Sequence, residues 1–125
     1  MQKTIPRLIM KSPILLFSIL ILTSCSTPGV PVDKLVERNG VTYQVDSDEP
    51  FTGRSVRFYE SGQLENRTDY RDGKKNGLSE WFWENGNLGQ RGHLKDGKKD
   101  GLLEVFYENG ELRRSVNYKN GVRTN

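Results

Sequence analysis

Three glycine series fall at a constant step of 24 residues: Gly53, Gly77 and Gly101; Gly62, Gly86 and Gly110; Gly73, Gly97 and Gly121. The residues between them keep the same step. Phe58, Phe82 and Phe106 correspond, as do Tyr59, Trp83 and Tyr107, Glu60, Glu84 and Glu108, and Leu64, Leu88 and Leu112. A fixed period of this size marks a stacked array, in which each unit buries its apolar side only against its neighbours. Residues 53–125 therefore divide into units 53–76, 77–100 and 101–125.

Each unit reads as a β-hairpin. In the second, the run Leu78 to Trp83 is separated by Glu84-Asn85-Gly86 from the run Leu88 to Leu94, and Asp96-Gly97 closes the unit. A two-residue tip turn pairs Phe58 with Glu65, whereas a three-residue loop ending in a left-handed glycine pairs Phe58 with Leu64. Burial selects register, and only the second option joins Phe58 to Leu64, Phe82 to Leu88 and Phe106 to Leu112. An even period keeps side chains on the same face from unit to unit. Val56, Phe58, Leu64, Tyr70, Leu78, Phe82, Leu88, Leu94, Leu102, Phe106, Leu112, Val116 and Tyr118 are then expected to form one apolar stripe. The fold class is all-β, an antiparallel array of three hairpins, and the 13 glycines of the chain, 11 of them in the array, disfavour helix there.

Ahead of the array, residues 1–24 form a signal-peptide layout, expected to be helical: Lys3, Arg7 and Lys11, an apolar run from Ile14 to Leu22, then Thr23, Ser24 and Cys25. The apolar run is far short of the roughly 20 residues that a membrane-spanning helix needs. Leu22-Thr23-Ser24-Cys25 resembles the bacterial lipobox. That resemblance implies cleavage between Ser24 and Cys25, a diacylglyceryl thioether on Cys25 and acylation, such as by palmitate, of the new amino terminus. Several acyl chains hold a protein at a membrane durably where one does not. Ser26 after the cysteine points to the outer membrane in a host with two membranes, and otherwise to the outer face of the plasma membrane. Residues 25–38 are expected to be a lipidated tether and 39–52 a capping strand and loop, with Val41 to Val45 alternating and Asn39-Gly40 turning before it.

The array resembles the variant MORN repeats. The likeness rests on Phe106-Tyr107-Glu108-Asn109-Gly110-Glu111-Leu112 and Lys95-Asp96-Gly97-Lys98-Lys99-Asp100-Gly101, and it runs from about Phe51 to Gly121. Ser61 departs from it in the first unit, and Val122-Arg123 departs in the third. Bacterial proteins with such repeats include antitoxin components of the YwqK type, so the resemblance implies a protein partner, a toxin or an envelope protein.

Charge and composition narrow the function classes further. The net charge of +3 belongs to the leader, because Lys3, Arg7 and Lys11 account for it and acids balance bases from Cys25 onward. No nucleic-acid partner is expected of a neutral domain. One cysteine and one histidine supply neither a disulfide nor a zinc cage, so no metal or other cofactor is expected. His93 stands apart from any nucleophile or elbow motif, and no converging catalytic set exists in the sequence; the chain is read as a non-enzyme. The candidate binding face is Tyr59, Trp81, Trp83 and Tyr107 with Arg67 and Arg91, residue types that dominate interface energetics. The same rings also serve cross-strand packing, and both readings stand at this point. The lysines of the Asp-Gly-Lys-Lys turns offer a basic ridge for phospholipid headgroups or an acidic glycan. An envelope scaffold is a further alternative.

Overall fold

Two kinds of turn, used alternately, build the sheet. At one end, Asp72-Gly73, Asp96-Gly97 and Asn120-Gly121 carry positive φ at both residues, near 50° and then near 80°. Two left-handed residues in succession make the tight type I′ turn, whose twist matches that of the strands it joins. At the other end, Gly62, Gly86 and Gly110 sit at φ 88°, 90° and 92°. There the Tyr59 N–H donates to the Gln63 carbonyl and the Gly62 N–H to the Tyr59 carbonyl, each at 2.9 Å, which is the three-residue loop with its bulge. Asn85 and Asn109 brace their tips through Oδ1, accepting from Asn87 N–H at 2.9 Å and Glu111 N–H at 3.0 Å. Ser61 does the same through Oγ at 3.4 Å.

A computed structural model describes residues 28–125. Its strands are β1 (Val30–Pro31), β2 (Leu35–Arg38), β3 (Val41–Gln44), β4 (Gly53–Phe58), β5 (Leu64–Arg71), β6 (Lys74–Phe82), β7 (Leu88–Lys95), β8 (Lys98–Lys99), β9 (Gly101–Phe106), β10 (Leu112–Lys119) and β11 (Val122–Arg123). One sheet runs β1-β4-β5-β6-β7-β9-β10-β11, with β8 also on β7. Every pairing in it is antiparallel except β1 with β4. β2 and β3 form a separate hairpin. The signal segment 1–24 and Cys25 lie outside the described residues.

The hairpin β2–β3 caps the array by copying its inter-unit bonding. Gly97 N–H donates to the Lys75 carbonyl and Gly121 N–H to the Lys99 carbonyl, both at 2.8 Å, so each turn hangs on the unit before it. The first turn has no earlier unit. Gly73 N–H instead donates to Phe51, Thr42 N–H to Gly73 and Phe51 N–H to Thr42, again at 2.8 Å. The expected tether is therefore shorter than 25–38. From Val30 the chain is already paired with Ser55, then makes a 3₁₀ turn at Val32–Lys34 and enters the cap, because an otherwise bare β4 edge offers backbone groups that β1 satisfies.

The tip register is the expected one: Phe58 pairs with Leu64, Phe82 with Leu88 and Phe106 with Leu112. The single apolar stripe is not. The bulge adds one residue to each returning strand, so behind it even positions face odd ones: Val56 with Arg67, Glu80 with Arg91, Leu103 with Val116. Tyr70, Leu94, Val116 and Tyr118 consequently lie on the opposite face from Val56, Leu78 and Leu102. Among the described residues the buried apolar side chains are Phe51, Leu103 and Val116, whereas Phe58 is 55% exposed. Leu103 and Val116 continue a row that begins with Ser55, Thr68, Ser79 and Gly92, all on one face.

Candidate functional site

Register defines two surfaces of different chemistry. On the first, Arg57, Asn66, Trp81, Gln90, Val105 and Arg114 face one another across successive strands, and Trp83 lies two residues beyond Trp81 on the same side. The Trp81 and Trp83 rings meet edge to face, with centroids 4.5 Å apart. This packing depends on Gly89, because a Cβ at that position would overlap the Trp81 ring and come within 3.0 Å of Trp83 Nε1. The position is Glu65 in the first unit and Arg113 in the third. The signal was present in the sequence: the unit with two tryptophans is also the unit with glycine at the bulge.

Column residues Tyr59 and Trp83 staple unit to unit. Tyr59 Oη donates to the Phe82 carbonyl at 2.7 Å, and Trp83 Nε1 donates to the Phe106 carbonyl at 3.3 Å. Desolvation first, then the negative charges of Glu65 and Glu84, push the Tyr59 phenol above its ordinary pKa and keep it a donor. Asn85 and Asn87 Nδ2 add donations to the Glu108 carbonyl at 3.0 and 2.8 Å. Tyr107, the third of the column, is 49% exposed and carries the Arg113 guanidinium 5.7 Å above its ring. The rings thus pack the sheet and still leave an aromatic surface.

Arg67 and Arg91 are not part of that surface. Each pairs with an even-numbered residue, so both project from the opposite side, where the row is Val56, Arg67, Glu80, Arg91, Glu104 and Ser115. Arg67 Nε reaches Glu80 Oε1 at 2.6 Å and Arg91 reaches Glu104 Oε1 at 2.9 Å. Arg54 pairs with Asp69 at 2.7 Å, and that hydrogen bond raises the guanidinium pKa further. Glu80 is only 6% exposed, and its burial is compensated by the charge-assisted bond. These arginines neutralise a ladder of acids, and the odd-even pairing behind the bulge is the reason they sit there.

Of the remaining candidates, His93 is exposed on β7, and Glu60, Glu84 and Glu108 are exposed in the tip loops. Ser24 and Cys25 lie outside the described residues. One depression among the described residues, about 660 Å³, is open and polar, lying between the turns of the first two units with Arg71, Lys74, Asp96 and Asp100 at its wall. A smaller one of about 130 Å³ lies beside Gly92 and Gly101, bounded by Leu94, Leu103 and Tyr118.

An array of hairpins with repeated turns, inter-unit staples and surface-exposed rings defines a repeat module whose surfaces are suited to association. The family model for the MORN repeat variant matches residues 51–72, 75–96 and 99–120, more than half of the chain. The chain belongs to the MORN repeat variant family. No curated protein and no solved structure matches it.

Proposed function

We propose that the chain is a non-catalytic lipoprotein of the bacterial envelope, anchored through Cys25, whose array binds another protein through its aromatic face. An antitoxin or immunity-type role is the specific form of this reading. One observation carries it: Tyr59, Trp83 and Tyr107 gather at the tip end of the sheet, and Pro28 and Gly29, ahead of β1, lead toward the other end. β1 runs parallel to β4, with Val30 beside Ser55, so Pro28 and Gly29 head toward the level of Gly53 and the type I′ turns. Five residue steps lead from Cys25 to Val30 and reach at most about 18 Å. A lipid on Cys25 therefore holds the turn end, with its lysines, near the headgroups and turns Trp83 and Tyr107 outward.

Cys25→Ser is expected to move the protein from the membrane fraction to the soluble fraction, measured by fractionation and immunoblot; unchanged membrane association defeats the anchor. For the binding face, the full chain in detergent is expected to form an equimolar complex with the product of an adjacent gene. Trp83→Ala should weaken that complex at least tenfold, while Phe58→Ala on the other face should leave it intact. Equal effects of the two variants, with both still folded by circular dichroism, defeat the assignment of the face.

A further inference from the structure

Inside the array, every returning strand is completed by the next unit in a fixed way. β5 is followed by β6, which brings Glu80 to Arg67; β7 is followed by β9, which brings Glu104 to Arg91. The same incoming strands supply the carbonyls of Phe82 and Phe106 to Tyr59 and Trp83, and the tip after β9 supplies that of Glu108 to Asn85. At the third returning strand, β10, Tyr107 and Asn109 keep the staple positions without acceptors beyond them among the described residues, while the ladder position of Arg67 and Arg91 is Ser115. β11 covers only Tyr118 and Lys119, and Thr124 N–H adds a bond to the Asn117 carbonyl at 2.9 Å. Over Leu112 to Val116, β10 pairs among the described residues with β9 alone.

The chemistry of this edge is one-sided. Residues 111–125 contain Arg113, Arg114, Lys119 and Arg123 against one acid, Glu111. Arg54, Arg67 and Arg91 each have a carboxylate on a neighbouring strand, whereas among the described residues neither Arg113 nor Arg114 has one within salt-bridge distance. Arg114 faces Val105 on the aromatic face, and Arg113 lies over Tyr107. Tyr107 and Asn109 occupy the positions from which Tyr59 and Asn85 donate to the next unit.

We propose that the outer edge of β10 is a docking site for an extended acidic segment of a partner protein, which adds to the sheet as its next antiparallel strand. Backbone pairing supplies affinity and side-chain positions supply selectivity in such strand addition. Carboxylates of the added strand meet the guanidinium groups of Arg113 and Arg114, which have no acid within salt-bridge distance among the described residues, and its carbonyls accept from Tyr107 and Asn109 as those of Phe82 and Glu108 accept from Tyr59 and Asn85. A second copy of the chain fits less well, because edge-to-edge contact brings two sets of the same arginines together, and like charges across strands repel. This inference deepens the reading of the array as a protein-binding module by naming an edge and a partner chemistry.

The test follows from strand geometry. Asn117 turns its carbonyl outward to Thr124, and successive residues alternate, so Ser115 also directs its N–H outward. Ser115→Pro removes that donor without taking a bond from β9, and proline is tolerated on an edge. The probe is a labelled peptide with the sequence of residues 101–108, Gly-Leu-Leu-Glu-Val-Phe-Tyr-Glu, titrated by fluorescence anisotropy against the full chain in detergent. Binding is expected to fall at least tenfold in Ser115→Pro and in Arg113→Glu/Arg114→Glu, on replacing both peptide glutamates with lysine, and with rising salt. Absence of binding, or binding unchanged by Ser115→Pro in a protein that still melts cooperatively, overturns the proposal. Concentration-dependent dimers abolished by Ser115→Pro also overturn it, in favour of self-association. If Ser115→Pro does not fold, the charge-reversed double variant and the lysine peptide decide on their own. A natural complex sensitive to Trp83→Ala and indifferent to Ser115→Pro leaves the face reading standing and removes the edge.

Discussion

Leu103→Ala is expected to destabilise the fold by about 2–4 kcal/mol, the range for truncating a buried leucine, and to lower the midpoint of urea unfolding accordingly. Leu103 is 6% exposed and lies over the bare backbone of Gly92, where an added Cβ would come within 2.8 Å of Leu103 Cδ1. Phe82→Ala should cost less, about 1–2 kcal/mol, because Phe82 is only partly buried. The order of the two values tests the register directly: a core centred on the phenylalanine stripe requires the opposite ranking. A second readout comes from the pair Leu103 and Gly92. Gly92→Ala alone should destabilise by crowding Leu103; in the Leu103→Ala background it should be close to neutral. The two changes should couple by more than about 0.5 kcal/mol, the additivity limit for residues that do not touch.

Gly73→Ala is expected to cost about 3 kcal/mol and Gly97→Ala about 1 kcal/mol, although both glycines sit in the same turn at nearly the same φ, 78° and 82°. The left-handed backbone penalty, about 1–2 kcal/mol, is common to both. What differs is the neighbour. A Cβ at Gly97 meets nothing within 4 Å, whereas one at Gly73 overlaps the Val41 side chain and lies 2.9 Å from the Thr42 carbonyl oxygen. Accommodating it pushes β3 away and breaks the bond from Thr42 N–H to Gly73. Hydrogen exchange at Thr42 and Phe51 should accelerate in Gly73→Ala and stay unchanged in Gly97→Ala. Equal destabilisation of the two variants would show that the cap contributes nothing.

Both cases mark where sequence reading reaches and where it stops. Turn positions, the period of 24, the three-residue tips and the pairs Phe58 to Leu64, Phe82 to Leu88 and Phe106 to Leu112 are legible because they are local: a left-handed glycine and a short loop length admit few geometries. The tether was harder. Two prolines and a glycine argue against a regular ladder, and they carry no information about an open β4 edge more than 20 residues away in sequence. The aromatic column was legible through its step of 24, while the assignment of Arg67 and Arg91 to it failed for a reason visible only in the ladder. The tip bulge inserts one residue, and one residue exchanges the faces of everything behind it.

Sequence alone determined the unit, its turns and the order in which hairpins follow one another, because each of these is decided within about 24 residues by backbone sterics and short-range pairing. Tertiary structure decided which side of the sheet is apolar, which arginines are neutralised and where the cap docks. Those properties depend on register summed across strands, and a side chain has no face until its neighbours on both sides are in place.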